Sequence, residues 1–358
     1  MARVMARAAP RWRGAGYPRR ATGLPLAALS TWYEVFPDRA SLLLAIVSAL
    51  ALLLTLVSVA PLSVWWVQVT GFPRLQTLAV LAGALLALGL LGWPAHRRVW
   101  RGLLLGGGLG MLAQAWFLWP YLPFAPTAVP NAPASATGRL RILVINVLMT
   151  NRQDARLHKM VTDNQPDVLL ALEPDAWWAQ ALKPLQASYL YRVELPRPDA
   201  YGMILYSRLP LAGTQVQNLL QRRVPSIRTR LRLPDGRQLT FFGIHPTPPI
   251  PDNYPDGVAL QKVADAVRQD TLPTVVAGDF NDMSWSGTTR QLVSTGSLHD
   301  VSVGRGLYNT FDARSTLARW PLDHFFVSEP LRVVTLKRLP DVGSDHFPLL
   351  VELALGTG

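Results

Sequence analysis

Three stretches, residues 41–60, 75–93 and 99–119, run almost without charge; only Arg101, near the start of the third, interrupts them. Each is close to the ~20 residues a helix needs to cross the hydrocarbon core of a bilayer. No polar residues alternate with the apolar ones at helical period, as they would in a helix half-buried in a soluble domain. The whole chain of 358 residues is 49% apolar, more than a soluble globule usually requires. The expectation is three transmembrane helices occupying residues 41–119.

Orientation follows from what flanks them. Trp65 and Trp66 follow the first run, and Trp116, Trp119 and Tyr121 close the third, as aromatic side chains do at headgroup level. Arg3, Arg7, Arg11, Arg13, Arg19 and Arg20 precede the first run; Arg97, Arg98 and Arg101 surround the turn between the second and third; the segment between first and second offers only Arg74. The positive-inside bias therefore predicts a basic cytoplasmic tail over residues 1–40 and places everything after Trp119 outside the cytoplasmic membrane. An arginine-rich start also suits a transit peptide, and a first apolar run a cleaved signal, but this run exceeds the usual signal core and reads as an uncleaved anchor.

Charge separates the two parts of the chain. Residues 1–138 carry eleven arginines against two acids, a net +9, whereas residues 139–358 carry 24 basic and 21 acidic residues, a net +3. The second part is thus not a surface built to coat long nucleic acid. The chain has no cysteine, which excludes disulfides, thiolate zinc sites and a cysteine nucleophile.

Residues 120–138, "PYLPFAPTAVPNAPASATG", are rich in proline and alanine, carry no charge and show no period, so they predict a semi-extended linker. From residue 139 to 358 the texture changes to short β-rich runs at 140–148, 167–173, 201–208, 227–233, 238–245, 273–280, 322–328 and 347–353, with helical patterns near 153–164 and 257–269. The "LPDG" at 233–236 has the composition of a hairpin turn. The pattern predicts one α/β domain with layered sheets.

Polar residues recur where these apolar strands end: Asn146, Glu173, His245, then Asp279 and Asn281 in "GDFND". Later come Asp323 and His324 in "PLDHFFVS" and Ser344, Asp345 and His346 in "GSDHFPLL". In an extended strand residues two apart face the same way, so Asp279 and Asn281 are expected to address one ligand. Taken singly, each such residue has an ordinary structural reading; the recurrence is what points to a site. Hard oxygen donors without a dense histidine or cysteine cluster suit Mg²⁺ or Mn²⁺. Carboxylates, amides and two histidines suit hydrolysis of a phosphate ester, with Asp279 taking the proton of the attacking water and the metal, His245 and His346 holding the phosphoryl charge.

In order and spacing, "INV", "ALEPD", "GMILYSRLPL", "GIHPTPP", "GDFND", "PLDHFFVS" and "GSDHFPL" resemble the endonuclease/exonuclease/phosphatase superfamily over residues 139 to 355, and its membrane-anchored bacterial branch most of all. The resemblance implies a four-layered sandwich of two β-sheets between helices. It implies Glu173 as principal Mg²⁺ ligand with Asn146 beside it orienting metal and phosphate, Asp345 touching metal directly or through water, and Asp279 orienting or deprotonating water. Asn281 would bind phosphate, His346, polarised by Asp323, would contact the scissile phosphate, and His245 would stabilise the developing charge. Leu148 and Leu172 stand where many relatives carry polar residues, which thins the surroundings of the metal.

Two other readings remain at this point. A catalytically weak domain could bind a phospholipid headgroup or a protein partner, or the domain could be an extracytoplasmic nuclease using Arg228, Arg230 and Arg232, which alternate along one strand, to grip nucleic acid. Leaving-group recognition is expected in the loops 246–256 and 285–289.

Overall fold

The computed structural model describes residues 39–60, 62, 64–90, 97–221, 224–249 and 257–356; nearly all of the basic tail and residues 250–256 of the first expected recognition loop lie outside them. Helices form on all three apolar runs: α1 (Arg39–Val59), the short α2 (Trp65–Val69), α3 (Arg74–Leu90) and α4 (Arg97–Leu118). Two segments, Arg39–Val59 and Arg98–Tyr121, are long and apolar enough to cross a membrane, whereas α3 has 17 residues. Three spans are thus not shown.

The bundle is patterned inside out. The buried stripe of α1 is Ser41, Ala45, Ser48, Ala51, Thr55 and Ser58, while Leu43, Leu50, Leu53 and Leu56 face outward. Small residues let helix backbones approach: a Cβ on Gly107 would lie 2.6 Å from Leu85, and one on Gly110 2.9 Å from Leu52. At one end the buried Arg74 donates to Ser58 Oγ and O and to Gln114 Oε1, and Gln114 donates to Thr55 Oγ1.

The segment after α4 is extended, but it is docked rather than free. Tyr121, Ala125 and Val129 are buried, Asn131 bridges Val333, and the Gly304 amide donates to Pro120 O at 2.7 Å. It lies along the domain that follows.

That domain comprises β1 (Arg139–Asn146), α5 (Asp154–Asn164), β2 (Val168–Leu172), α6 (Ala176–Ala181), β3 (Tyr191–Leu195), β4 (Met203–Ser207), β5 (Leu211–Gln221), β6 (Val224–Arg232), β7 (Gln238–Ile244), α7 (Gly257–Arg268), β8 (Thr274–Asp279), α8 (Gly287–Thr295), β9 (His299–Asp300), β10 (Asp323–Val327), β11 (Leu331–Arg338) and β12 (Leu349–Leu355). They build two six-stranded sheets, ordered β11-β12-β1-β2-β4-β3 and β5-β6-β7-β8-β10-β9. Each has one parallel pair at its centre, β1 with β2 and β7 with β8, and both sheets are otherwise antiparallel. The "LPDG" turn joins β6 to β7 as expected, with the Gly236 amide on Leu233 O.

Alternation along the strands makes the layers. Ile142, Val144, Leu170 and Leu172 meet Phe241, Ala277 and Phe325 in the core between the sheets. Their neighbours Leu143, Ile145, Leu169 and Ala171 face outward onto α5 and α6 through Leu157, Val161 and Trp178. On the second sheet Phe242, Ile244 and Val276 pack against Val263 and Ala264 of α7 and Leu292 of α8. The result is helices, sheet, sheet, helices, with both faces of each sheet covered.

The sandwich sits on the end of the bundle that carries Ser58 and Arg74. Trp285 Nε1 donates to Gly71 O at 3.0 Å, Gln76 Nε2 donates to Leu317 O at 2.9 Å, and Phe72 meets the Trp320 ring edge-on.

Candidate active site

The parallel pairs decide where polar groups gather. Because β1 runs with β2 and β7 with β8, the C-terminal ends of all four lie at one end of the sandwich, and the antiparallel β10 begins there. Asn146 closes β1, Glu173 follows β2, His245 follows β7 and Asp279 closes β8; Asp323, the first residue of β10, pairs in register with Asp279. Gly278 makes the approach of β7 and β8 feasible: with φ at +153°, a Cβ there would stand 1.8 Å from Ile244 O.

Asp279 Oδ2 is the hub. Asn146 Nδ2 donates to it at 3.1 Å, and His346 Nε2 and His245 Nε2 stand 3.5 and 3.6 Å away. The same Asn146 amide donates to Glu173 Oε1 at 2.8 Å, so it holds two carboxylates on either side of itself. On the far side of His346, Nδ1 donates to Asp323 Oδ2 at 2.8 Å. Asp279, Asp323, His245 and His346 are all buried, and Glu173 and Asn281 are half-buried.

Burial alone would push the His346 imidazole down, but the carboxylates of Asp279, Asp323 and Asp345 outweigh it and hold its pKa up at about 10. His346 is therefore a cation at neutral pH, anchored through Nδ1, with Nε2 directed at Asp279. His245 has a buried Nδ1 without a hydrogen-bond partner, and its ring lies 5.7 Å from that of Tyr201.

Two kinds of grouping present themselves for a cation. Asp279, Asp323 and His346 offer one ligand atom each, all within 4.8 Å of one another. That triad is already satisfied internally, since the His346 imidazole bridges the two carboxylates, 2.8 Å from Asp323 Oδ2 and 3.5 Å from Asp279 Oδ2. The Glu173 carboxylate fits a hard cation better: it has no cationic partner among the described residues, and its side-chain contact is the Asn146 amide nitrogen, whose Oδ1 in turn accepts the Leu148 amide at 3.0 Å. Asp345 lies at the rim, with Arg314 3.6 Å from Oδ2, and joins the cluster through Ser344, whose Oγ donates to Asn146 O and accepts the His346 amide.

One sequence expectation is corrected. Asp279 and Asn281 do not share a strand face, because β8 ends at Asp279 and Asn281 takes a left-handed turn at φ +49°, which asparagine tolerates. Its side-chain amide donates to Pro246 O at 3.0 Å and its backbone amide to Asp279 Oδ1 at 2.8 Å, so it joins the β7 and β8 tips. His324 points to the opposite face of β10, with Nε2 donating to Asp282 O and Nδ1 accepting from Ser284. Residues 285–289, expected to read a leaving group, begin with Trp285 packed on the bundle. Arg228 is engaged by Asp270 at 2.6 Å, which removes one member of the expected basic stripe.

The structure adds residues that carried no sequence signal. Thr310 Oγ1 accepts the Leu322 and Asp323 amides and fixes the start of β10. Phe311 lies with its ring 5.0 Å from that of His346 and stacks on Trp320 at 6.1 Å, and Trp320 in turn meets Phe72. Both Thr310 and Phe311 belong to an irregular loop, where neither period nor motif marks them.

Comparison with known proteins agrees with this geometry. The model of the Endonuclease/Exonuclease/phosphatase family matches residues 143–346, which run from β1 to His346. A UPF0294 protein of Vibrio cholerae serotype O1 is 28% identical over 236 residues, covering 61% of this chain and 79% of that protein. Among solved structures, the human Nocturnin catalytic domain with bound sulfate anion superposes with a TM-score of 0.51 at 19% identity, over 61% of this chain and 94% of that one. The humanized D. rerio TDP2 superposes with a TM-score of 0.50 at 16% identity, over 61% and 99%.

Proposed function

Because this chain belongs to the endonuclease/exonuclease/phosphatase family, we propose that it is a membrane-anchored, divalent-metal-dependent phosphoesterase that hydrolyses a phosphomono- or phosphodiester by in-line attack of water. The observation that carries the reading is the meeting of Asn146, Glu173, His245, Asp279, Asp323 and His346, from both sheets, at one end of the sandwich.

In this reading Glu173 and Asn146, with Asp345 at the rim, hold Mg²⁺ or Mn²⁺, and a bound divalent cation supplies neutralisation of the phosphoryl oxygens. Asp279 accepts the proton of the water as its oxygen attacks phosphorus and the bond to the leaving oxygen breaks. His346, kept protonated by Asp323, donates a charged hydrogen bond from Nε2 to the phosphoryl group. His245 adds a second donor on the same side, and Asn281, which ties the two strand tips together, stands beside them as a phosphate-binding residue. Phe311 shields the His346 ring from water, which strengthens each of these interactions.

We place residues 1–40 in the cytoplasm, 41–119 in the membrane as three spans, 120–138 as the connecting segment and 139–358 as the catalytic domain outside. Three features support this. The bundle faces outward with leucine and inward with serine, threonine and alanine. Arg97 and Arg98 open α4 at the opposite end from Phe117, Gly71 and Phe72, which meet the sandwich. The positive-inside bias puts that arginine-bearing end in the cytoplasm.

The test is release of phosphate or alcohol from a panel of phosphomonoesters, phosphodiesters, phospholipids and nucleic acids by the full chain, with and without added Mg²⁺ or Mn²⁺. Turnover that requires metal on at least one substrate class is expected; none on any class would refute the assignment.

A further inference from the structure

Beside the catalytic cluster, in a cleft lined by none of its residues, two arginines from different parts of the fold converge where the bundle meets the sandwich. A cavity of about 460 Å³ lies there, lined from the bundle by Ser58, Gly71, Arg74 and Phe117 and from the sandwich by Ser286 and Arg290. Arg74 is 3% exposed. Its two terminal nitrogens are bound to Ser58 and Gln114, but Nε is buried and has no acceptor. Arg290 is exposed, and its own Nε donates to Ser286 O at 3.3 Å. Both guanidinium groups lie against one ring, that of Phe117, at 3.8 and 5.7 Å from its centroid, close enough for the like charges to repel.

No described residue neutralises them. Among the described residues neither arginine has a carboxylate within ion-pair distance. Asp282 borders the cavity, but its Oδ1 accepts the Met283 amide and its Oδ2 accepts the hydroxyls of Ser286, Thr288 and Thr289. Burial pushes that carboxyl up, away from the charged form. A buried guanidinium with an orphaned donor, set beside a second, solvent-facing cation, costs free energy that an anion recovers.

We propose that this cleft is an anion site, distinct from the catalytic cluster in that it shares none of its residues, that takes a phosphate group. Arginine forks match phosphate oxygens better than a point charge does. Ser286 and Gly287, at the start of the nine-residue α8, border the cleft and add the positive end of a helix dipole. Its place at the end of the bundle, beside exposed Trp65 and Trp66, makes an anionic phospholipid headgroup one source of that phosphate and free phosphate the other. The lipid source rests on the membrane reading; the anion site does not rest on the catalytic one. Occupancy ties the bundle to the turn Asp282–Ser286, which begins three residues after Asp279.

The experiment uses the full chain in nanodiscs of phosphatidylcholine, in buffer with a metal chelator, and follows the thermal unfolding midpoint. One arm raises the fraction of phosphatidylglycerol; the other keeps phosphatidylcholine alone and titrates inorganic phosphate. The wild type is expected to show a saturable rise in at least one arm, and which arm identifies the source. Arg290→Gln is expected to bind about tenfold more weakly, the loss of one charge-assisted hydrogen bond. Arg332→Gln, which removes an exposed charge elsewhere, is expected to match wild type. Arg74→Gln should abolish the rise; where that variant does not fold, Arg290→Gln against Arg332→Gln decides. No rise in either arm, or a rise equal in wild type and Arg290→Gln, would overturn the proposal.

Discussion

His346 Nδ1 lies 2.8 Å from Asp323 Oδ2, and both side chains are almost wholly shielded from solvent. The pair is set by the fold: Asp323 opens β10 in register with Asp279, and Ser344 and Phe311 hold the His346 backbone and ring. Asp323 thus fixes which nitrogen of His346 faces Asp279 and keeps the ring charged.

Replacing Asp323 by Asn preserves shape and removes that charge. Since the carboxylates hold the His346 pKa at about 10, losing one lowers it, and the protonated form required for catalysis disappears at a lower pH. The alkaline limb of the pH–rate profile should move toward neutrality, and the rate at its optimum should fall by about 10²-fold or more. An unmoved alkaline limb would detach Asp323 from His346 function.

Gly278→Ala tests the approach of β7 to β8. The added methyl would meet Ile244 O at 1.8 Å, so the strands must part and carry Asp279 and His245 with them. Both the unfolding midpoint and the activity should drop; a variant as stable and active as wild type would show that the close pairing is dispensable.

Much of this was legible beforehand, and the omissions share a cause. Eight strands were readable because they are buried on both faces or carry a continuous apolar run, as Val168–Leu172 and Thr274–Asp279 do. The strands that escaped are Tyr191–Leu195, Leu211–Gln221, His299–Asp300 and Leu331–Arg338, and these are the four sheet edges. An edge strand buries less, so its sequence is mixed; Tyr191–Leu195 is exposed or half-exposed throughout. In the site, residues on strand ends were legible because the chemistry demands unusual side chains there. The orientation of Asn281 was misjudged because extending the period of β8 by two residues ignored the left-handed turn. Thr310 and Phe311 were invisible because they act through backbone and ring contacts from an irregular loop.

The Arg228–Asp270 pair offers a stability test outside the site. Burial works against the Asp270 carboxylate, but Arg228, the Leu272 amide and the Thr240 hydroxyl outweigh it and hold its pKa below the usual range. A depressed acid stabilises the fold above its unfolded pKa, about 4, and loses that contribution as pH falls through the folded value. Arg228→Gln should therefore cost about 1–3 kcal/mol at neutral pH, and the difference from wild type should shrink in acid. Denaturant unfolding at several pH values measures it; a pH-independent difference would contradict the linkage.

The proposed topology, with the sandwich outside, is checked by locating the C-terminal end of the chain. A reporter that is active only outside the cytoplasm, fused after Gly358, should give signal, and a cytoplasmic reporter at the same position should not. The reverse pattern would remove the three-span arrangement.

The most direct measurement compares phosphoester hydrolysis by the full chain, in saturating Mg²⁺, for wild type, Asp279→Ala and His346→Ala, with folding of each checked by circular dichroism. Loss of about 10²–10⁴-fold in both folded variants is the predicted result. Variants that are folded and hydrolyse every substrate as fast as wild type would contradict the account.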